Sequence, residues 1–260
     1  MLGIETLEPG TLVLLVVAGL LAGWVDAVVG GGGLIQLPVV LMVPGLSPVQ
    51  ALAVNKLASS MGTATSALTY YWRTACDVST ALPMAGVALA ASFCGAIVAT
   101  LIPASAFRPI ILCALVAVLL FTVLKPGAGE LTQLKHSGRR HLIIALAAGL
   151  IIGFYDGILG PGTGSFLMIA MISLLGFNFL MATAQTKIVN LATNLGALAY
   201  FTLSGHMLWA VGLIVGVANL VGGYLGARTA IARGNGFIRG MMIAVVSALI
   251  LKLGFDIYAG

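Results

Sequence analysis

Charge is what this sequence has least of. Lysine and arginine number 12 and aspartate and glutamate 7 among 260 residues, a charged fraction of 7%, against about 25% in an ordinary soluble domain. So few ionic groups cannot cover a water-facing surface, which excludes a soluble enzyme and a disordered chain. Cysteine is scarcer still. Cys76, Cys94 and Cys113 are odd in number and irregularly spaced, so neither a disulfide framework nor a metal site follows. The basic residues form no run interleaved with aromatics, and the net charge of +5 is therefore no nucleic-acid footprint. No lysine or arginine precedes the first apolar run, whereas Glu5 and Glu8 do, which argues against a cleaved signal peptide. The longest polar stretch, 125–141, is only a linker.

Apolar sequence is what the chain has in plenty: 60% of its residues are hydrophobic. The uncharged runs 27–55, 78–107, 157–186 and 188–227 each exceed the roughly 20 residues that cross a hydrocarbon core as a helix. These features predict an all-α polytopic membrane protein whose first partner is the lipid bilayer.

The linker separates two halves, 1–124 and 142–260, that resemble each other. Gly23-Trp24-Val25-Asp26 leads into Gly30-Gly31-Gly32-Gly33, and Gly153-Phe154-Tyr155-Asp156 leads into Gly160-Pro161-Gly162-Thr163-Gly164. Gly45-Leu46-Ser47 then matches Gly176-Phe177-Asn178, Ala51 matches Ala182, and Lys56 matches Lys187. The register continues through Gly95-Ala96 with Gly226-Ala227 and Phe107-Arg108 with Ile238-Arg239. We read a duplication. Five apolar segments are expected per half: 11–29, 34–44, 49–72, 78–102 and 109–124, then 142–159, 165–175, 180–203, 206–227 and 240–255. The second of each five is short, about 17 Å as a helix, little more than half the core. It ends a broken helix, re-enters, or crosses obliquely.

Charge placement selects a topology. With an odd number of crossings per half, Arg73, Lys125, Lys135, Arg139, Arg140, Arg228, Arg233 and Arg239 share one side, leaving Arg108 and Lys252 on the other. An even number would split them. The positive-inside rule favours the odd count. The expectation is two inverted repeats of about four to five membrane helices each, interrupted or re-entrant after Asp26 and Asp156, with both termini outside and a cytoplasmic linker.

The paired glycine clusters serve close helix packing or a binding site. Packing through small residues is the bland reading. Their matched positions after an intramembrane aspartate point to a transporter site, where half-helix N-termini attract anions. Candidate ligands there are Gly32, Gly33, Gly162, Thr163 and Gly164. Lys56 and Lys187 lie inside apolar segments, where a charge costs roughly 2.5–3.5 kcal/mol. One lysine can snorkel to the interface, but two at equivalent positions point to a shared interior. Helical spacing aligns Asn55, Ser59, Thr63 and Ser66 on one face, and Thr183, Thr186, Asn190 and Asn194 on another. Cations with neutral donors suit a small oxyanion; interhelical hydrogen bonding is the alternative. Asp26 and Asp156 either neutralise the lysines structurally or titrate and couple anion to proton movement. Trp24, Trp72, Trp209 and His206 read as interface or packing residues. The small residues Gly222, Gly223 and Gly226 suit a homodimer or internal packing. No cofactor or metal is implied.

These motifs resemble the TauE/SafE sulfite exporter family, also called the toluene sulfonate uptake permeases. The residues that carry the likeness are Asp26–Gly33 with Leu37-Pro38, Ala51-Leu52-Ala53-Val54-Asn55-Lys56, Gly153–Asp156 and Gly160–Ser165. Gly176-Phe177-Asn178, Ala182-Thr183-Ala184, Lys187, Asn190 and Asn194 extend it over essentially the whole chain. The YfcA-like bacterial inner-membrane branch is the most similar. The resemblance implies a transporter, commonly an exporter, of sulfite, organosulfonates or related sulfur-containing anions. Asn55 stands opposite Thr186, and GGGG opposite GPGTG, so the half-sites differ chemically. An anion channel remains the first alternative. An intramembrane lipid-phosphate enzyme is the second, although the repeated motifs supply no positioned nucleophile.

Overall fold

The computed structural model describes residues 8–101, 129 and 131–258. Among these the chain forms eight α-helices and no strand. The first half supplies α1 (Pro9–Val29), α2 (Gly33–Leu41), α3 (Pro48–Arg73) and α4 (Val78–Ala99). The second supplies α5 (Gly138–Ile158), α6 (Thr163–Ala170, extended by a π turn Met171–Leu175), α7 (Phe179–Leu203) and α8 (Trp209–Tyr258). The expected segment 109–124, with Cys113, Arg108 and Lys125, lies outside the described residues.

Local chemistry sets the helix boundaries. Gly45 and Gly176 adopt left-handed φ values of 81° and 89°, which a Cβ would disfavour. Two residues on, Ser47 accepts a hydrogen bond from the Gln50 amide at 3.3 Å, and Asn178 accepts one from Met181 at 2.8 Å. The repeated Gly-x-Ser/Asn motif is therefore a turn followed by an N-cap. It launches the lysine-bearing helices α3 and α7. Near the C-terminus the two expected segments 206–227 and 240–255 fall on two helical stretches that meet at a kink at Gly234 (φ 71°, ψ −164°) and are together called α8. The first stretch runs past the expected end at 227 as far as Arg233, since arginine is a good helix former. The guanidinium groups of Arg228 and Arg233 lie 5.5 Å and 5.0 Å from the Tyr224 and Phe237 rings.

Close contacts fix the relative directions of the helices. Gly19 meets Val215, Gly23 meets Asn219, and Trp24 meets Gly226, so α1 and the first part of α8 run parallel. Leu57 meets Gly212 and Met61 meets Gly216, so α3 runs with them. Met84, Ala88 and Ser92 meet Gly149, Gly153 and Gly157 in that order, making α4 and α5 parallel. Leu89 meets Gly196 and Phe93 meets Tyr200, which adds α7 to this group. The groups oppose each other: on α3 and α7, Lys56 reaches Asn194 whereas the earlier Leu52 and Ala53 pack with the later Ala197 and Phe201. Each long helix of the first half thus runs opposite to its sequence counterpart in the second.

The short helices turn back. α2 has 9 residues, about 14 Å of rise, and its Val40 packs beside Leu15 near the start of α1. α6 and its π turn return likewise toward the start of α5, where Phe177 lies edge-on to His141 at 5.8 Å. The breaks after Asp26 and Asp156 therefore produce re-entrant helices. At their apices Gly30 and Gly164 touch, and a Cβ on Gly164 would fall 2.4 Å from the Gly30 Cα.

Among the described residues four helices are long and apolar enough to cross a membrane: α1, α4, α5 and the first forty residues of α8. α3 and α7, at 26 and 25 residues, match them in length but carry inward polar faces. Large exposed side chains such as Leu21, Leu82 and Ile151 suit a lipid-facing surface. Arg73, Lys135, Arg139, Arg140 and Arg233 gather at one end, where α3 finishes and α4 and α5 begin, with Trp72 beside them. Trp209 marks the opposite end, and Trp24 packs inside against Phe237 at 6.4 Å. The small residues that suited a homodimer face inward instead. Gly222 and Gly226 lie against α1 and Gly223 against Gly62, because only small residues let these backbones approach.

Gly23→Ala should lower thermal stability in detergent by about 1–3 kcal/mol through overpacking, since its Cβ would stand 2.2 Å from the Asn219 carbonyl oxygen. Gly86→Ala, whose Cβ meets nothing within 4 Å, should leave the melting temperature unchanged or slightly raised.

Candidate functional site

The two buried lysines lie at the centre of this bundle, and each is neutralised by the other half. Lys56 Nζ of α3 stands 2.5 Å from Asp156 Oδ2 of α5, and Lys187 Nζ of α7 stands 3.0 Å from Asp26 Oδ2 of α1. Lys56 is 1% exposed and Lys187 0%. A lone ammonium at such depth is costly, and a close carboxylate offsets that cost only with further hydrogen bonds. They are present. Lys56 also donates to Asn194 Oδ1 at 3.3 Å, while Ser92 Oγ lies 3.4 Å from Asp156 Oδ2. Lys187 also donates to the backbone carbonyl of Asp26, at the negative end of the α1 dipole.

The pairs are not equivalent. The Asp156 side chain is 2% exposed, whereas that of Asp26 is 15% exposed. Asn55 is held by an amide chain: Asn219 donates to Gln36 at 2.6 Å, and Gln36 donates to Asn55 Oδ1 at 2.9 Å. Its counterpart Thr186 has a buried hydroxyl without a partner.

A small cavity of about 10 Å³, room for about one water molecule, joins these groups. Lys56, both aspartates, Asn55, Ser59, Asn190, Asn194, Gly33 and Gly164 line it. The re-entrant apices contribute Gly30 and Gly160, and a Cβ on Gly160 would stand 3.1 Å from Lys56 Nζ. Other expected ligands lie beside the cavity rather than on it. Gly32 packs against α1, and Thr163 donates to the Gly160 carbonyl at 2.7 Å, bracing the second apex. Gly162 supplies the left-handed turn there, at φ 86°. Thr63 is buried with an unpartnered hydroxyl, while Ser66 and Thr183 bond back to their own helices. Among the described residues no cluster of metal-ligating side chains occurs.

Sequence reasoning missed Gln36, Asn219 and Ser92. Each is a single polar residue in an apolar run, and the repeat register places Leu167, Ala88 and Gly223 opposite them. Selection by matched pairs discards such residues. Their signal was polarity at depth alone.

The geometry offers charge held in balance: Lys56 and both aspartates line a small cavity with neutral amides and a hydroxyl, while Lys187, also predicted as a ligand, is bonded to Asp26 outside that lining. The Sulfite exporter TauE/SafE family matches residues 15–253 of this chain. The chain belongs to the TauE/SafE sulfite exporter family. Its TauE/SafE relatives include "probable membrane transporter protein" ORF9 of Sinorhizobium sp., 38% identical over 94% of this chain and 93% of that one. YfcA of Escherichia coli K12, described in the same words, is 34% identical over 96% of this chain and 91% of its own. A Haemophilus influenzae protein, again so described, is 34% identical over 94% and 95%. No solved structure matches. This TauE/SafE member is a multi-pass membrane transporter and not an enzyme.

Removing Lys56 alone should strand Asp156 in the interior, a change that costs about 3–5 kcal/mol in buried pairs. Lys56→Ala/Asp156→Ala should recover much of the melting temperature lost by Lys56→Ala. A double variant no more stable than the single one would mean that the pair is not coupled.

Proposed function

We propose that this protein is a secondary carrier of small sulfur-containing anions, such as sulfite or organosulfonates, working by alternating access between inverted repeats. The observation that supports it best is the reciprocal pairing of Lys56 with Asp156 and Lys187 with Asp26. In this closed state carboxylates occupy the positions that a substrate anion would take. The four charges sum to zero. Adding an unpaired anion to that neutral interior is unfavourable, so entry requires that an aspartate leave its lysine or take a proton. Protonation of Asp26, the more exposed acid, releases Lys187 for the anion. The substrate then moves with a proton, without net charge for a monoanion. Asn55, Ser59, Asn190 and Asn194 supply hydrogen-bonding groups, and the apical glycines let the anion approach backbone amides.

Opposed helix directions and the gathering of basic residues at one end support inverted repeats in a bacterial inner membrane, with the linker cytoplasmic. Residues 1–124 and 142–260 are then the two repeats. Outward transport is what membership of a sulfite exporter family suggests. A centre filled by its own ion pairs, with room for about one water molecule, favours a carrier over a channel. The homodimer stays a proposal without the inward-facing glycines to carry it.

Purified protein in liposomes should move labelled sulfite or an organosulfonate saturably and with counterflow. Lys56→Ala and Lys187→Ala should each reduce transport to background, and Asp26→Asn should abolish its response to a pH gradient. Unimpaired transport in both lysine variants would overturn the site. Large single-channel currents would overturn the carrier.

A further inference from the structure

Gln36, Asn55 and Asn219 are 0%, 3% and 3% exposed, and buried amides need hydrogen-bond partners. They serve one another, in a single direction. Asn219 donates to Gln36 Oε1 at 2.6 Å, and Gln36 Nε2 donates to Asn55 Oδ1 at 2.9 Å. The direction is not free to reverse. Gln36 Nε2 also lies 3.4 Å from the Asn55 backbone carbonyl, which can only accept. The nitrogen of Gln36 must therefore face α3, and its oxygen must face Asn219. The Asn55 side-chain oxygen is thereby engaged by α2. Its nitrogen is turned toward Gly33, where a Cβ would stand 3.5 Å from Nδ2 and 3.9 Å from Oδ1. Both residues line the central cavity.

Asn194 is set the same way by a different partner. Lys56 Nζ can only donate, and it lies 3.3 Å from Asn194 Oδ1. The Asn194 oxygen is thus engaged, and its N–H groups are left for the cavity that it lines. Asn190 differs: it meets the Thr193 hydroxyl at 3.4 Å, and a hydroxyl both donates and accepts. The carboxylates in the lining, Asp26 and Asp156, are engaged by the lysines. Two amides held as donors, one from each half of the chain, therefore border this space.

We infer that Gln36 and Asn219 are positioning residues that aim the Asn55 N–H groups into the cavity, so that the site selects a fully ionised sulfonate head over an oxyanion that keeps a hydroxyl. Every oxygen of a sulfonate accepts and can meet an N–H. A hydroxyl proton turned to the same N–H leaves two donors facing each other, and a buried donor without a partner is costly. The inference rests on the proposed carrier site and gives that site a substrate preference. In the repeat register Leu167 and Ala88 stand opposite Gln36 and Asn219, so the relay is not duplicated.

The test is uptake of labelled methanesulfonate by the full chain in liposomes at mildly acidic pH. Methylphosphonate is the competitor, since its monoanion keeps one hydroxyl on an equally small head. The wild type should prefer methanesulfonate by about tenfold or more. Gln36→Leu introduces the residue that the same fold accepts at Leu167. It should raise KM for methanesulfonate about tenfold with Vmax held within about twofold, and the preference should fall toward parity. In an Asn55→Ala background Gln36→Leu should change neither quantity further, because its effect passes through Asn55. Should Gln36→Leu fail to fold, Asn219→Ala is read in its place with the same expected outcome. Equal transport of both anions by the wild type, or wild-type KM and preference in Gln36→Leu, would overturn the inference and leave the carrier standing. So would an undiminished effect of Gln36→Leu in the Asn55→Ala background. No saturable uptake by the wild type would overturn the carrier reading, and this inference with it.

Discussion

An ammonium group buried in a membrane interior must be answered by a carboxylate, and here the answer always comes from the other half of the chain. Lys56 looks to Asp156 and Lys187 looks to Asp26. Because neither half neutralises itself, separating them would leave unpaired charges in an apolar interior. Much of the architecture follows from this need. α1 must pack on α8 and α4 on α5 closely enough to bring the acids to the lysines, which explains the rows of glycine at those contacts. The re-entrant helices must stop near the centre, so that their apices wall the cavity instead of crossing it.

The same pairing describes how a carrier can rest without substrate. Each aspartate neutralises a lysine of the other half. In the proposed carrier a transported anion would compete with such a tethered carboxylate. Asymmetry then has a use. The Asp156 pair is deep and held by Ser92 and Asn194, whereas the Asp26 pair is nearer to solvent and rests on a helix terminus. In the proposed carrier one half-site would hold and the other respond. The amide chain from Asn219 through Gln36 to Asn55 adds stiffness to the first half, where α2, α3 and α8 meet.

Much of this could be read before any coordinates. Scarce charge with long apolar runs defined the membrane class, and the matched register singled out two short segments, without saying whether they cross or re-enter, and four central residues, Asp26, Lys56, Asp156 and Lys187. Those features are local or periodic, and the energetic cost of charge in hydrocarbon makes each buried lysine conspicuous. The repeated Gly-x-Ser/Asn turn was visible as a match, although its capping role was not. The two C-terminal segments meet at the Gly234 kink, and the first runs a few residues past its expected end because arginine continues a helix that a hydrophobic run does not.

Chain order could not say which acid meets which lysine, since that depends on how the halves dock across about a hundred residues of separation. It could not distinguish an inward glycine from one presented to a second copy, because both read as small residues on a helix face. Nor could it find Gln36, Ser92 and Asn219, which have no counterparts in the repeat and gain meaning only from the neighbours that packing brings to them. Composition and periodicity decided what kind of solvent surrounds this protein and which residues defy it. Only the packed bundle decided how those residues cancel one another, because electrostatic compensation depends on distance in space.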